Sequence, residues 1–267
     1  MLKDITIGQY FPVASFLHRM DPRVKLVLVL AVIVTVFVAN NFAAMTVIVL
    51  ATVALMLLSR VPFKIYLKSL KPIIPIIIIT SVLNIFYVGG GETLLQFWVI
   101  RITDQGLITA LFMSVRIVCL ILISGLLTYT TSPTELTDAI ERLFSPLKKL
   151  KVDVHSLAMM MTIALRFIPT LVEETEKIMS AQKARGADME SGGLMQRMKA
   201  LIPILIPLFV SSFRRAYELA YAMECRCYHG GEGRTRMKIL KMHAADYLAV
   251  GLYLFLLTAI ILLDIFF

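Results

Sequence analysis

Two short segments of the chain hold an arginine between small residues: Ala184-Arg185-Gly186 and Cys225-Arg226-Cys227. Each lies near the end of an apolar helical stretch within one long basic segment. Small neighbours let a guanidinium be pushed deep into a groove on another protein. There its planar fork offers several donors to carboxylates and backbone carbonyls. The competing reading is of two solvated cations at helix ends, favoured by the negative end of the helix dipole. Two matching settings favour the first reading, and the chain reads as a coupler that grips a partner. Lys183 and Glu224 beside the motifs read as solvent-facing charges.

Other reactive constellations are poor. Cys225, Cys227 and His229 cluster, but a bulky arginine separates the thiols, and no metal site is expected. No G-x-x-x-x-G-K-[ST] run occurs, so the chain is not expected to hydrolyse ATP itself. Neither H-E-x-x-H nor G-x-S-x-G is present, and no catalytic residue or cofactor is expected. Glu173, Glu174 and Glu176 read as a solvated or partner-facing helix surface. Arg116 falls within an apolar run, where a charge is costly in lipid, so it faces protein or water. A subunit interface or an internal ion pair would each serve it. Met159, Met160, Met161, Met179, Met195 and Met198 suit either an adaptable binding face or ordinary packing between amphipathic helices.

The elements that position the two arginines follow from composition. Of 267 residues, 58% are hydrophobic, against about 45–50% in soluble domains. The mean hydropathy is +0.82. Lipid is therefore the expected solvent, and the net charge of +9 suits the cytoplasmic face and lipid headgroups better than nucleic acid. Three cysteines, Cys119, Cys225 and Cys227, imply no disulfide framework. Met1-Leu2-Lys3 leads into polar residues and Pro12 without an apolar core, so no cleaved signal peptide is expected.

Five runs are long enough to span, given a need for about 20 mostly apolar residues. Two lie between Leu26 and Ser59, with Asn40-Asn41 as the turn, and the first helix begins near Pro22 with Asp21 as its cap. The third covers Pro72–Gly91, followed by a short loop with Trp98, Arg101 and Asp104. The fourth covers Gln105–Thr130 and the fifth Tyr247–Leu263. The segment from Ser132 to His243 holds 17 of the 27 Lys and Arg residues. Its apolar runs, Val154–Leu165 and Ala200–Phe213, match the ~10–14 residues of an interfacial or buried helix. A crossing by the second would put Arg214, Arg215, Arg226, Arg234, Arg236, Lys238 and Lys241 outside, against the positive-inside rule. Ser132-Pro133-Thr134-Glu135 starts a helix to about Phe144. A second runs from Asp153 to about Ala184, bent at Pro169, and a third from Gly193 to about Tyr228.

The expected fold is an all-α integral membrane protein, with about five transmembrane helices and a cytoplasmic layer of three amphipathic helices. Its parts are a four-span region at 1–131, the two-motif region at 132–243 and a last span at 244–267. The N-terminus is expected in the cytoplasm and the C-terminus outside.

In order along the chain, Ser15-Phe16-Leu17-His18-Arg19-Met20-Asp21-Pro22-Arg23-Val24-Lys25, Ser132-Pro133-Thr134-Glu135-Leu136 and Leu165-Arg166-Phe167-Ile168-Pro169 resemble the transmembrane T component of energy-coupling factor transporters. So do Ala181-Gln182-Lys183-Ala184-Arg185-Gly186 and Ala222-Met223-Glu224-Cys225-Arg226-Cys227-Tyr228, although cysteines replace the usual Ala and Gly in the last. The resemblance implies a multi-pass scaffold in a bacterial cell membrane. It implies as partners two cytoplasmic ATP-binding cassette ATPases and a small membrane-embedded substrate-binding S component, with no nucleic acid. Ala184, Arg185, Gly186, Cys225, Arg226 and Cys227 become the ATPase-contacting residues, and vitamins or metal ions the cargo. Rival classes are a membrane enzyme acting on lipid or prenyl substrates, which lacks paired acids here, and a self-sufficient secondary transporter, for which only Arg116 speaks.

Overall fold

A computed structural model describes residues 9–90, 93–97, 100–187, 193–231 and 240–266. Its helices are α1 (Phe16–Arg19), α2 (Pro22–Val38), α3 (Phe42–Ser59), α4 (Phe63–Leu70), α5 (Ile74–Tyr87), α6 (Asp104–Thr130), α7 (Pro133–Phe144), α8 (Val154–Ala184), α9 (Leu194–Cys225) and α10 (Ala244–Phe266). The chain is an all-α integral membrane protein. Its one β element among the described residues is an antiparallel hairpin of β1 (Thr93–Phe97) and β2 (Ile100–Thr103), where the sequence suggested a loop. Trp98 lies outside the described residues.

Six helical stretches are long and apolar enough to cross a membrane: Phe42–Ser59, Phe63–Tyr87, Asp104–Thr130, Val154–Ala184, Met198–Cys225 and Ala244–Phe266. At 17 residues, α2 is marginally shorter. The third span begins earlier than Pro72. It runs through α4, a 3₁₀ turn at Lys71–Ile73 and α5, the tightening falling where Pro72 lacks the N–H for an α-helical bond. The second and third basic-segment helices also exceed expectation. Their apolar runs are short, but each is embedded in a continuous helix of 31 or 32 residues.

The chain divides into two compact units, one formed by residues 8–139 with 239–267 and the other centred on 140–238. In the first, Leu17, Met20, Val24, Met56, Tyr66, Leu126 and Tyr129 form one buried cluster. Val36, Ala39, Ala44, Ile48, Cys119, Ile123 and Ile260 form another. Tyr66 and Tyr129 meet edge to face at 5.2 Å, with their hydroxyls bonded to Ser59 and Ser69. These apolar side chains pack α1, α2, α3, α6 and α10 together, and polar groups fix the helix ends.

Asp21 caps α2 by accepting from the Arg23 N–H at 2.9 Å, with Pro22 at the first helical position. The fully buried Asp246 reaches two helix starts at once. One carboxylate oxygen accepts from the Asp21 N–H at 2.9 Å, the other from the His243 N–H at 2.7 Å. At the far end of α10, Asp264 accepts from the N–H groups of Asn40 and Asn41 in the α2–α3 turn. Eighteen helical residues separate these acids, about 27 Å of rise, close to the ~30 Å hydrocarbon thickness of a bilayer. One carboxylate therefore sits at each edge of the last span.

Arg116 is half-buried and has no ion pair among the described residues. Its Nη2 donates to the Ala39 carbonyl at 2.5 Å, just past the end of α2, and its guanidinium lies 5.1 Å from the Phe112 ring centre. An orphan helix-end carbonyl is thus satisfied by a cation lodged among apolar helices. His18 accepts from the Ser15 hydroxyl through Nδ1 and donates through Nε2 to the Phe11 carbonyl. Burial lowers its pKa and keeps the ring neutral at the entry to α2.

Candidate functional site: two matched helix ends

The second unit is built on α8 and α9. Asp153 caps α8 through the Ser156 N–H at 3.1 Å. Along the pair, Glu174 of α8 accepts from the Ser211 hydroxyl and from Arg215 Nη2 (2.8 Å) on α9. Further along α8, Gln182 Nε2 donates to the Pro203 carbonyl at 3.2 Å. Advancing along α8 thus means retreating along α9, so the helices are antiparallel. After α9, Gly231 packs so tightly on the His155 ring that a side chain there would collide with it. The end of α9 therefore returns to the start of α8.

This register puts Arg185 and Arg226 at opposite ends of the pair. Extrapolated at 1.5 Å per residue, they stand about 40 Å apart.

Locally the two ends are copies of one another. Arg185 follows the last residue of α8; the Gly186 N–H donates to the Lys183 carbonyl at 3.0 Å and the Ala187 N–H to the Gln182 carbonyl at 3.0 Å. Arg226 follows α9; the Cys227 N–H donates to the Glu224 carbonyl at 2.8 Å and the Tyr228 N–H to the Met223 carbonyl at 3.0 Å. Both are Schellman ends, in which one left-handed residue turns the chain and satisfies the last carbonyls. That residue is Gly186 at φ +86° in one copy and Cys227 at φ +54° in the other. The glycine adopts this conformation freely, whereas the cysteine carries a Cβ penalty.

Ala184, Arg185, Gly186, Cys225, Arg226 and Cys227 are all exposed. Among the described residues neither guanidinium has a hydrogen bond or ion pair. Cys225 and Cys227 are free thiols, and no group of three His, Cys, Asp or Glu gathers as a metal site among the described residues. Sequence reading treated Glu174 as a surface acid; it is instead the main polar link between α8 and α9. The (i, i+4) ladder of Phe209, Phe213, Tyr217 and Tyr221 on α9 stands exposed, as do Met160, Met161, Met195 and Met198. Met159 and Met179 are half-buried.

A family model described as cobalt transport protein, CbiQ, matches residues 13–238, which include both arginine ends. The energy-coupling factor transporter transmembrane protein EcfT of Clostridium kluyveri is 57% identical over 250 residues, covering 93% of each chain. The chain belongs to this family. As a transmembrane component of an energy-coupling factor transporter, it also matches the EcfT proteins of Ruminiclostridium cellulolyticum and Bacillus subtilis. The first is 49% identical over 99% of this chain and 98% of the relative, the second 49% identical over 92% and 93%. In this EcfT-family chain both arginine ends are exposed, and the unit of residues 8–139 with 239–267, the membrane unit, holds four of the six long apolar stretches among the described residues.

Proposed function

We propose that the chain couples ATP hydrolysis by two cytoplasmic ATP-binding cassette subunits to movement of a small membrane-embedded substrate-binding subunit. Arg185 enters a groove on one ATPase and Arg226 a groove on the other. Helices α8 and α9 act as the levers between them, lying along the cytoplasmic face with their apolar stripes toward lipid or the substrate-binding subunit. The observation that carries this reading is the pair of matched Schellman ends, each presenting an exposed guanidinium without a partner among the described residues. A spacing of about 40 Å suits two separate grooves better than one continuous site. Closing of the ATPases on ATP binding then moves both ends of one antiparallel pair.

In this reading the N-terminus is cytoplasmic and the C-terminus outside, with the basic segment facing the cytoplasm. The cargo is a vitamin or a metal ion, selected by the substrate-binding subunit. The exposed methionines suit a surface that accepts more than one such subunit.

The test is co-purification and uptake with Arg185→Glu, Arg226→Glu and the double variant. Each single change should cut uptake at least tenfold, since truncating a buried charge-assisted contact costs about 2–5 kcal/mol. The double change should abolish recovery of the ATPases while the chain still reaches the membrane. Normal assembly and uptake in the double variant would sink the mechanism.

A further inference from the structure

Within the membrane unit, α2, α3, α6 and α10 enclose a cavity of about 560 Å³. An apolar cavity of about 150 Å³ already takes up benzene, so one this large, walled by aliphatic side chains, will not stay empty beside lipid. Its shape is defined by its lining. On α2 it runs from Lys25 to Thr35 and on α3 from Ile48 to Leu58, ten helical steps in each case. That is about 15 Å of helix, half the ~30 Å hydrocarbon core and so the depth of one leaflet.

One end of the cavity differs from the other. Lys25 at the start of α2 and Thr130 at the end of α6 both line it, and Lys25 is its one charged lining residue. Lys25 Nζ donates to the Thr130 carbonyl at 3.0 Å, which occupies one of three ammonium donors. Three carboxylates lie within electrostatic reach. Asp21 is held by Arg23, Asp246 accepts from two backbone N–H groups, and Glu135 faces the ammonium from α7. The lining residues Phe16, Leu58, Leu248 and Leu252 are exposed. Phe16 lies on α1, Leu58 at the end of α3 and Leu248 near the start of α10, all on the side of the unit where α2 begins. The cavity therefore opens at the membrane edge, at the end where Lys25 lines it.

We infer that this cavity is a phospholipid site: one acyl chain fills it, and the lipid phosphate sits at Lys25. The occupant is a lipid drawn sideways from the bilayer. The chain length that fits matches one leaflet, the mouth is apolar and lateral, and the one charged lining residue, Lys25, has ammonium donors complementary to a phosphate. Bound there, the lipid would fill the gap among four helices, making it part of the scaffold's packing.

Native mass spectrometry of the full chain, purified from membranes in mild detergent and washed extensively, tests this. The wild-type chain should keep one phospholipid of its host membrane. Ala51→Phe, which puts a ring into the cavity, should lower the retained lipid at least tenfold; Ala54→Leu is the milder filler should the first fail to fold. Lys25→Met should weaken retention several-fold while leaving the cavity open. A wild-type chain that flies bare would overturn the site. So would one carrying a free fatty acid or detergent in place of phospholipid, or lipid retention equal in wild type and the cavity-filling variants.

Discussion

The membrane unit and the α8–α9 unit differ most in what they enclose. The first has two apolar clusters and shields Asp21, Lys25 and Asp246 almost completely. The second buries only Val154, Ala158 and Ile204 among its described apolar side chains, despite helices of 31 and 32 residues. A helix pair with so little internal burial and such long apolar stripes is completed by lipid or by a partner. In the membrane unit the polar residues Asp21, Asp246 and Asp264 serve its own helix ends. In the other unit Arg185 and Arg226 are exposed and have no side-chain hydrogen bond or ion pair among the described residues. Internal burial is concentrated in one unit, and in the proposed function it is the other that contacts a second protein.

The strongest challenge to this contrast is Asp246→Ala. It removes the acceptor from one buried and one part-buried backbone N–H group, and a buried donor left unpaired costs about 1–3 kcal/mol. The expected loss is roughly 3 kcal/mol, read as a lower thermal midpoint in detergent. Asp246→Asn should recover part of it, because the amide oxygen still accepts. Glu224→Ala, at an exposed carboxylate on α9, should leave the midpoint unchanged. Equal effects from Asp246→Ala and Glu224→Ala would erase the difference between the units.

A smaller effect tests the second unit from within. Glu174→Ala removes the acceptor for Ser211 and Arg215, whose pairing is partly open to solvent. A partly screened pair of this kind contributes about 1 kcal/mol. Hydrogen exchange should quicken along α8 and α9 with no change in α2, α6 or α10, and uptake should fall several-fold because the levers no longer move together. Faster exchange throughout the chain would mean that the units are one cooperative body.

The sequence disclosed four of the six long apolar stretches found among the described residues, and most helix starts, because their signals are local. Uncharged runs of about 20 residues, the Asp21-Pro22 and Ser132-Pro133 starts and Asp153 all lie beside what they control. Asp246 meets the Asp21 N–H across 225 residues, and no local pattern announces such a pair. Arg116 was singled out correctly as costly in lipid, but its partner is a backbone carbonyl, and carbonyls are the same at every residue. Positions 93–103 read as a loop because the two strands are only five and four residues long. Gly186 carried a signal that sequence reading did not use, a glycine just beyond a basic helix end. Cys227 carried none, since cysteine is not a residue that ordinarily marks a left-handed turn.

That asymmetry gives the finest test of the two arginine ends. They share the same hydrogen bonds, yet one turns through glycine and the other through cysteine at φ +54°. Cys227→Gly should stabilise the end of α9 by about 1 kcal/mol, since the left-handed Cβ penalty disappears. Gly186→Ala should cost the end of α8 about as much; the strain there is conformational, because a Cβ at Gly186 would meet nothing within 4 Å. The sensitive probes are the amides of Tyr228 and Ala187, which bond back to Met223 and Gln182. Exchange should slow at Tyr228 in the first variant and quicken at Ala187 in the second, by about fivefold for each kcal/mol. If ATPase binding tightens with Cys227→Gly, a firmly set turn is what positions Arg226. Unchanged binding alongside slower exchange would mean that the partner's groove orders this end on contact, and that the cysteine's strain is relieved only in the complex.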